Sequence, residues 1–293
     1  MASRQRVPTE DISYEDPTRD EEPLVVIEAR KGFFGIDFKE IWSYRDLFLI
    51  LVWRDILVRY KQTLLGASWA VLQPLATMLI FTLFFGRLAK IPSDGLPYPV
   101  FSYSAVLLWT YFSQALNVSA NALIINEKLV TKVYFPRIMM PATPVLAGLL
   151  DLAIGSCLFC VLLPYFHMGL SANVWAVPIM VLIAVTSAMG AGLWLSALNL
   201  KYRDFSHLMP FIIQFWMFVS PVVYPVSLVP EKWRILFSLN PMAGAIEGFR
   251  WALLGTSGNP WPLVLTSALS AVLILLSGAI YFRRSEEYFA DLI

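Results

Sequence analysis

The sequence is short of charge. Only 15% of its 293 residues are Asp, Glu, Lys or Arg, against roughly a quarter in an ordinary water-soluble domain, and this excludes a fully solvated globule. Cysteine and histidine are nearly absent, with two of each. Cys157 and Cys160 have the spacing of a redox or metal pair. They sit in GSCLFCVLL, with no neighbouring His or basic group to favour thiolate, and so read as ordinary buried cysteines. His167 and His207 fall at the ends of different apolar segments and cannot share a site. No Ser/His/Asp set, carboxylate pair or metal cluster emerges, which argues against an enzyme and leaves no metal site or cofactor to expect. No GxxxxGK[ST] occurs either, so the chain cannot itself cradle ATP phosphates. No secretory leader is expected in the first 23 residues, which carry seven acids against three bases and no apolar core. Nothing points to nucleic acid.

What the sequence has is apolar length: 58% of residues are hydrophobic and the mean hydropathy is +0.64. A helix needs about 20 mostly apolar residues to cross the hydrocarbon. Stretches free of Asp, Glu, Lys and Arg run over 62–86, 95–126, 152–200, 205–230 and 251–282. The 49-residue stretch holds two spans, broken by the turn formers of PYFHMGLSAN (164–173). The pattern predicts an all-α integral membrane protein with six transmembrane helices, at about 66–88, 99–123, 141–166, 174–198, 206–226 and 261–282. Of the 22 Lys and Arg, 17 fall on the side that holds both termini, which makes that side cytoplasmic. Residues 1–31 then read as a disordered acidic cytoplasmic tail, with docking or regulation as the alternative.

Residues 32–62 form a separate segment. In IWSYRDLFLILVWRDILVRYK the uninterrupted apolar run Leu47–Trp53 is seven residues, too short to span. The mixture of Trp and Leu with Arg and Lys predicts an amphipathic helix in the plane of the cytoplasmic interface, with Trp42 and Trp53 at the headgroups. It runs without a linker into the first span, and Gly66 is the predicted bend. Two readings stand: a plain anchor, or a lever whose movement tilts the span.

Two connections are unusual. NEKLVTKVYFPR, within the loop 126–138, combines Glu127, Lys128, Lys132 and Arg137 with Tyr134 and Phe135, and Pro136 ends any helix there. It is either a solvated basic loop or a short helical knob that docks into a groove of a partner. The outward segment 227–260 is too apolar for a free loop yet too charged to span. In LNPMAGAIEGFRWALLG, Asn240 is placed as helix cap, Pro241 as first helical residue and Gly255 as stop. One or two short re-entrant helices are expected between spans 5 and 6.

Within the spans, Ala184, Ala188, Gly192 and Ser196 make a small-residue ridge for close helix packing. Asp151 is the acid inside a span, expensive there unless paired or wet. Pro221 and Pro225 kink or end span 5.

WRDILVRYKQTLLGASWAVLQPL (53–75) closely resembles the opening signature of the membrane subunit of type-2 ABC exporters, the permeases for O-antigen, capsule or teichoic acid chains. NEKLVTKVYFPRIMMPATPVLAGLLD (126–151) and LNPMAGAIEGFRWALLG (239–255) resemble later blocks of that family in the expected order. The resemblance covers nearly the whole chain, with 63–293 as the six-span transmembrane domain. It implies a homodimer in the bacterial inner membrane, bound to two copies of a separate ATPase that carries ATP and magnesium, and a polyprenyl-linked polysaccharide as substrate. It implies that Glu127, Lys128, Lys132, Tyr134, Phe135 and Arg137, together with Arg54, Asp55 and Arg59, couple to the ATPase, and that the re-entrant helices form the outer mouth, with Asn240, Pro241, Glu247 and Arg250 as gate residues. A local ion pair is the other reading of Glu247 and Arg250. A conduit for sugar needs flat aromatic faces with polar tips. Span 1 offers Trp69, Gln73, Phe81 and Phe84, and span 5 offers Phe211, Phe215, Trp216, Phe218 and Tyr224. The alternatives are a related exporter of small drugs or lipids, and an integral-membrane polyprenyl-lipid transferase.

Overall fold

A computed structural model of the chain describes residues 38–61, 66–202, 204–256 and 258–292. The acidic tail, the start of the interface segment and the junction 62–65 lie outside the described residues. Among the described residues every regular element is helical: α1 Phe38–Ser43, α2 Arg45–Lys61, α3 Trp69–Phe81, α4 Tyr98–Ile125, α5 Glu127–Lys132, α6 Met139–Ser156, α7 Phe159–Tyr165, α8 Val177–Lys201, α9 Phe205–Val219, α10 Glu231–Ser238, α11 Pro241–Leu254 and α12 Trp261–Leu292.

Among the described residues, four helical segments are long and apolar enough to cross a membrane: Gly66–Leu88, Met139–Tyr165, Ala172–Lys201 and Trp261–Glu286. They coincide with the first, third, fourth and sixth predicted spans. The second predicted span corresponds to α4, whose 28 residues would reach about 42 Å. It is more polar because it is the centre of the bundle: 19 of its residues are buried, against α3, α6, α8, α9 and α11. The fifth corresponds to α9, a shorter apolar helix. It stops at Val219 because Ser220, preceding Pro221, is driven to extended backbone (ψ 151°).

Close approach is built from small residues on both faces of α8. A Cβ on Gly192 would meet Ser119 Oγ of α4 at 2.2 Å, and one on Gly278 of α12 would meet the Gly190 carbonyl oxygen at 2.4 Å. The ridge of Ala184, Ala188, Gly192 and Ser196 is buried and packs within the chain. A second, smaller core closes the opposite end, where Leu51, Leu123, Val130, Phe135, Met139, Phe282 and Phe289 meet.

Three expectations are corrected. Cys157 and Cys160 are exposed: α6 ends at Ser156, the chain turns, and both sulfurs lie on the outer side of an apolar helical segment. The 32–62 helix is broken at Tyr44 into α1 and α2. It is apolar on two sides, because Ile41, Tyr44, Leu47, Phe48 and Leu51 pack into the smaller core while Trp42, Leu49, Ile50, Trp53 and Leu57 stay exposed. A simple division into apolar and charged faces therefore does not describe it.

Candidate functional site

The connection between α4 and α6 folds as the sequence suggests locally but not in its exposure. Pro136 ends the turn that follows α5, and Glu127, Lys128, Lys132 and Tyr134 face outward. Phe135, offered above as a docking residue, is only 4% exposed and anchors the loop in the smaller core. Arg137 is also turned inward: it donates to the Glu286 carbonyl oxygen (3.1 Å) and lies over the Phe289 ring. Tyr134 donates to Glu40 (3.2 Å), and burial and that carboxylate together raise its pKa.

α2 is held at two points. Arg54 pairs with Asp55 (2.8 Å) and donates to Asn126 Oδ1 (3.0 Å), the residue that precedes α5. One turn further on, Arg59 and Tyr60 both donate to the Asp151 carboxylate. Asp151 lies twelve residues into α6, about 18 Å along its axis. Asp151 is therefore paired, and its partners come from the segment that precedes the first span. Arg59 points to Asp151 rather than outward, so its contribution is to this clamp.

The aromatic wall candidates separate by helix face. On α9, Phe211 (71% exposed), Phe215 (72%) and Phe218 lie with His207 and Gln214 on one open face. Trp216 is on the opposite face: its ring meets Phe112 edge-on at 5.0 Å and its Nε1 donates to Asn240 Oδ1 (2.9 Å). It is a packing residue. Tyr224 lies beyond the end of α9 and donates to the Phe218 carbonyl oxygen (3.0 Å). On α3, Trp69 and Gln73 are exposed, as is Phe84 in the turn that continues it (Thr82–Leu88), whereas Phe81 is partly buried with its ring edge-on to Phe85.

α4 carries a feature absent from the candidates above. Thr110, Ser113, Gln114, Asn117 and Asn121 of α4 recur at three- and four-residue spacing and none is buried, while the residues between them pack inward. Gln114 donates to Gln73 Oε1 of α3 (2.9 Å), and Asn199 of α8 donates to Asn121 Oδ1 (2.9 Å). The interval pattern was visible in the sequence, but averaging hydropathy over a whole span hides one polar face. A row of amides and hydroxyls is costly against lipid. It needs water, a polar cargo or a second protein surface.

At the far end of α4, Asn240 caps α11 by accepting from the Met242 amide, Pro241 is the first helical residue, and Gly255 closes the helix in left-handed backbone (φ 67°). Asn240 also donates to Ser220 Oγ and the Val219 carbonyl oxygen, so it fastens α11 to the end of α9. Arg250 is 1% exposed. It donates to Glu247 (2.8 Å) and to the Pro221 carbonyl oxygen (3.0 Å), and its guanidinium lies 3.7 Å from the centre of the Phe101 ring. The local ion pair given as the other reading is therefore present, its cation buried, stacked and hydrogen-bonded and its carboxylate part-buried.

The arrangement has known relatives. The ABC-2 type transporter family matches residues 46–254. An O-antigen export system permease protein, RfbA of Myxococcus xanthus, is 29% identical over 255 residues, covering 85% of this chain and 96% of the relative. RfbA of Klebsiella pneumoniae is 24% identical, with 85% and 95% covered. The polysialic acid transport protein KpsM of Escherichia coli is 23% identical, with 88% and 98% covered. Since the family match takes in well over half the chain, α2 to α11 included, the chain belongs to the ABC-2 type transporter family as a membrane permease.

Proposed function

We propose that the chain is the membrane subunit of an ATP-driven exporter of a lipid-linked polysaccharide, working as a homodimer with two copies of a separate ATPase in the bacterial inner membrane. Six helices cross in this reading, α4 and α9 completing the set, and both termini are cytoplasmic. α10 and α11 dip into the outer leaflet and form the outer mouth. The relatives that export O-antigen and polysialic acid support the substrate class. The observation that carries the reading is the polar stripe of α4, whose Gln114 reaches Gln73 on the exposed side of α3. Amides and hydroxyls exchange hydrogen bonds with sugar hydroxyls, and Phe211, Phe215 and Trp69 offer flat faces without a fixed charge to hold the chain back. A small apolar cargo would gain nothing from such a stripe.

Force enters through the exposed side of the α5 loop, where Glu127, Lys128, Lys132 and Tyr134 meet the ATPase. ATP and magnesium act on that partner, and nucleotide shifts the permease only as far as it favours one state over another. Arg54 links the loop to α2 through Asn126, and Arg59 with Tyr60 carries the motion to α6.

The experiment replaces Gln114 and Asn117 together by Leu in a strain whose only copy is the variant, and follows surface polysaccharide and co-purification of the ATPase. Loss of surface polysaccharide with the ATPase retained is expected. Undiminished polysaccharide rejects the stripe as the path.

A further inference from the structure

A cavity of about 480 Å³ lies where α10, α11 and the start of α12 meet the connections 89–97 and 220–230. That volume is in the range of small-ligand sites. Ser227 donates to Asp94 Oδ1 (2.8 Å) and closes one rim from two separate connections. Trp251 forms a wall, and the Trp261 ring holds it edge-on at 6.0 Å. Asn259 accepts from the Trp261 amide with Oδ1, which leaves its Nδ2 group as a donor at the lining. Glu247, with one oxygen on Arg250, Arg234 and the hydroxyl residues Ser238, Thr256 and Thr266 complete the polar lining.

The chemistry selects one class of ligand. Glu247 is matched by Arg250 beneath, Arg234 at the rim lies 3.9 Å from Glu231, and Asp94 accepts from Ser227, so the site offers no cluster of like charge to hold a phosphate or an ammonium group. Among the described residues no group of three or more His, Cys, Asp or Glu could hold a metal. What remains is a set of paired acceptors and donors beside a rigid aromatic wall, which suits a polyhydroxylated ring: hydroxyls reach the carboxylates and the amide while an apolar ring face lies on indole. We propose that this cavity is a saccharide-binding subsite on the exit side, taking a neutral sugar unit of the exported chain as it leaves. The inference rests on the export reading above and adds a site to it that lies away from the α4 stripe.

The test uses the full chain with its ATPase in lipid nanodiscs and the methyl glycosides of glucose, mannose, galactose and N-acetylglucosamine as probes, read by saturation-transfer NMR. At least one glycoside is expected to receive saturation. Asn259→Ala, which removes the amide donor, is expected to weaken it about five- to tenfold, the size of one or two hydrogen bonds. Thr266→Phe, which fills the cavity from α12, is expected to abolish it. No transfer to any of the four glycosides, or equal transfer to the wild type and to whichever variant folds, overturns the subsite. Failure of the export reading shows separately, as unchanged surface polysaccharide in a strain lacking the chain.

Discussion

The clamp between α2 and α6 makes the sharpest prediction. Asp151→Asn keeps the shape of the side chain and removes its charge, which leaves the Arg59 guanidinium in place without its counter-ion. Removing one partner of a buried pair costs about 3–5 kcal/mol. The Arg59 side chain keeps 28% exposure against 13% for Asp151, so the lower end applies. About 3 kcal/mol is a little over a hundredfold in the docked population of the end of α2. The assay is disulfide cross-linking between Val58→Cys and Met140→Cys, which line the same cavity between α2 and α6, in a background with Cys157 and Cys160 changed to Ser. Cross-linking in Asp151→Asn is expected to collapse along with export while the ATPase still co-purifies, and the swap Arg59→Asp with Asp151→Arg is expected to restore part of both. Full cross-linking and full export in Asp151→Asn would refute the idea that this ion pair fastens the lever.

The other predictions concern packing and exposure. Gly278→Ala places a methyl group against the Gly190 carbonyl at 2.4 Å, and overpacking of this kind is expected to cost about 1–3 kcal/mol, seen as a lower thermal midpoint in detergent. Lys132→Glu with Tyr134→Asp alters the exposed side of the α5 loop and is expected to reduce ATPase co-purification at an unchanged midpoint. Phe135→Ala is expected to lower the midpoint instead, by about 3–5 kcal/mol, because that ring is in the core. Arg250→Ala leaves Glu247 and the Pro221 carbonyl without their donor and is expected to destabilise the α9–α11 junction by about 3 kcal/mol or more. Arg250→Lys is expected to recover little of this, since a point charge cannot stack on Phe101 while reaching both acceptors.

The sequence made local backbone features legible. Asn240, Pro241 and Gly255 bound α11 as expected because capping, the fixed φ of proline and left-handed glycine are decided within a few residues. Pro221 ended α9 for the same reason. Side-chain direction was not legible: Trp216 and Cys160 lie on the faces opposite to those expected because an apolar helix packed on most sides gives little contrast between faces, and Phe135 and Cys157 lie in non-helical turns whose direction no periodicity sets. The Arg59–Asp151 pair joins residues 92 positions apart. Sequence could state that Asp151 needed a partner but not that the helix before the first span supplied it. The α4 stripe is the reverse case, present in the spacing of five polar residues yet lost in the average of a span that is otherwise deeply buried.

The most direct measurement is ATP-dependent transfer of a lipid-linked polysaccharide across proteoliposomes that contain the purified chain and its ATPase, wild type beside Gln114→Leu/Asn117→Leu. Transfer by the wild type that needs both ATP and the ATPase, and that falls at least tenfold in the variant while ATP hydrolysis continues, is the predicted result. Equal transfer by the two proteins, or transfer by the chain alone without its ATPase, would contradict a conduit built along α4 and driven from the α5 loop.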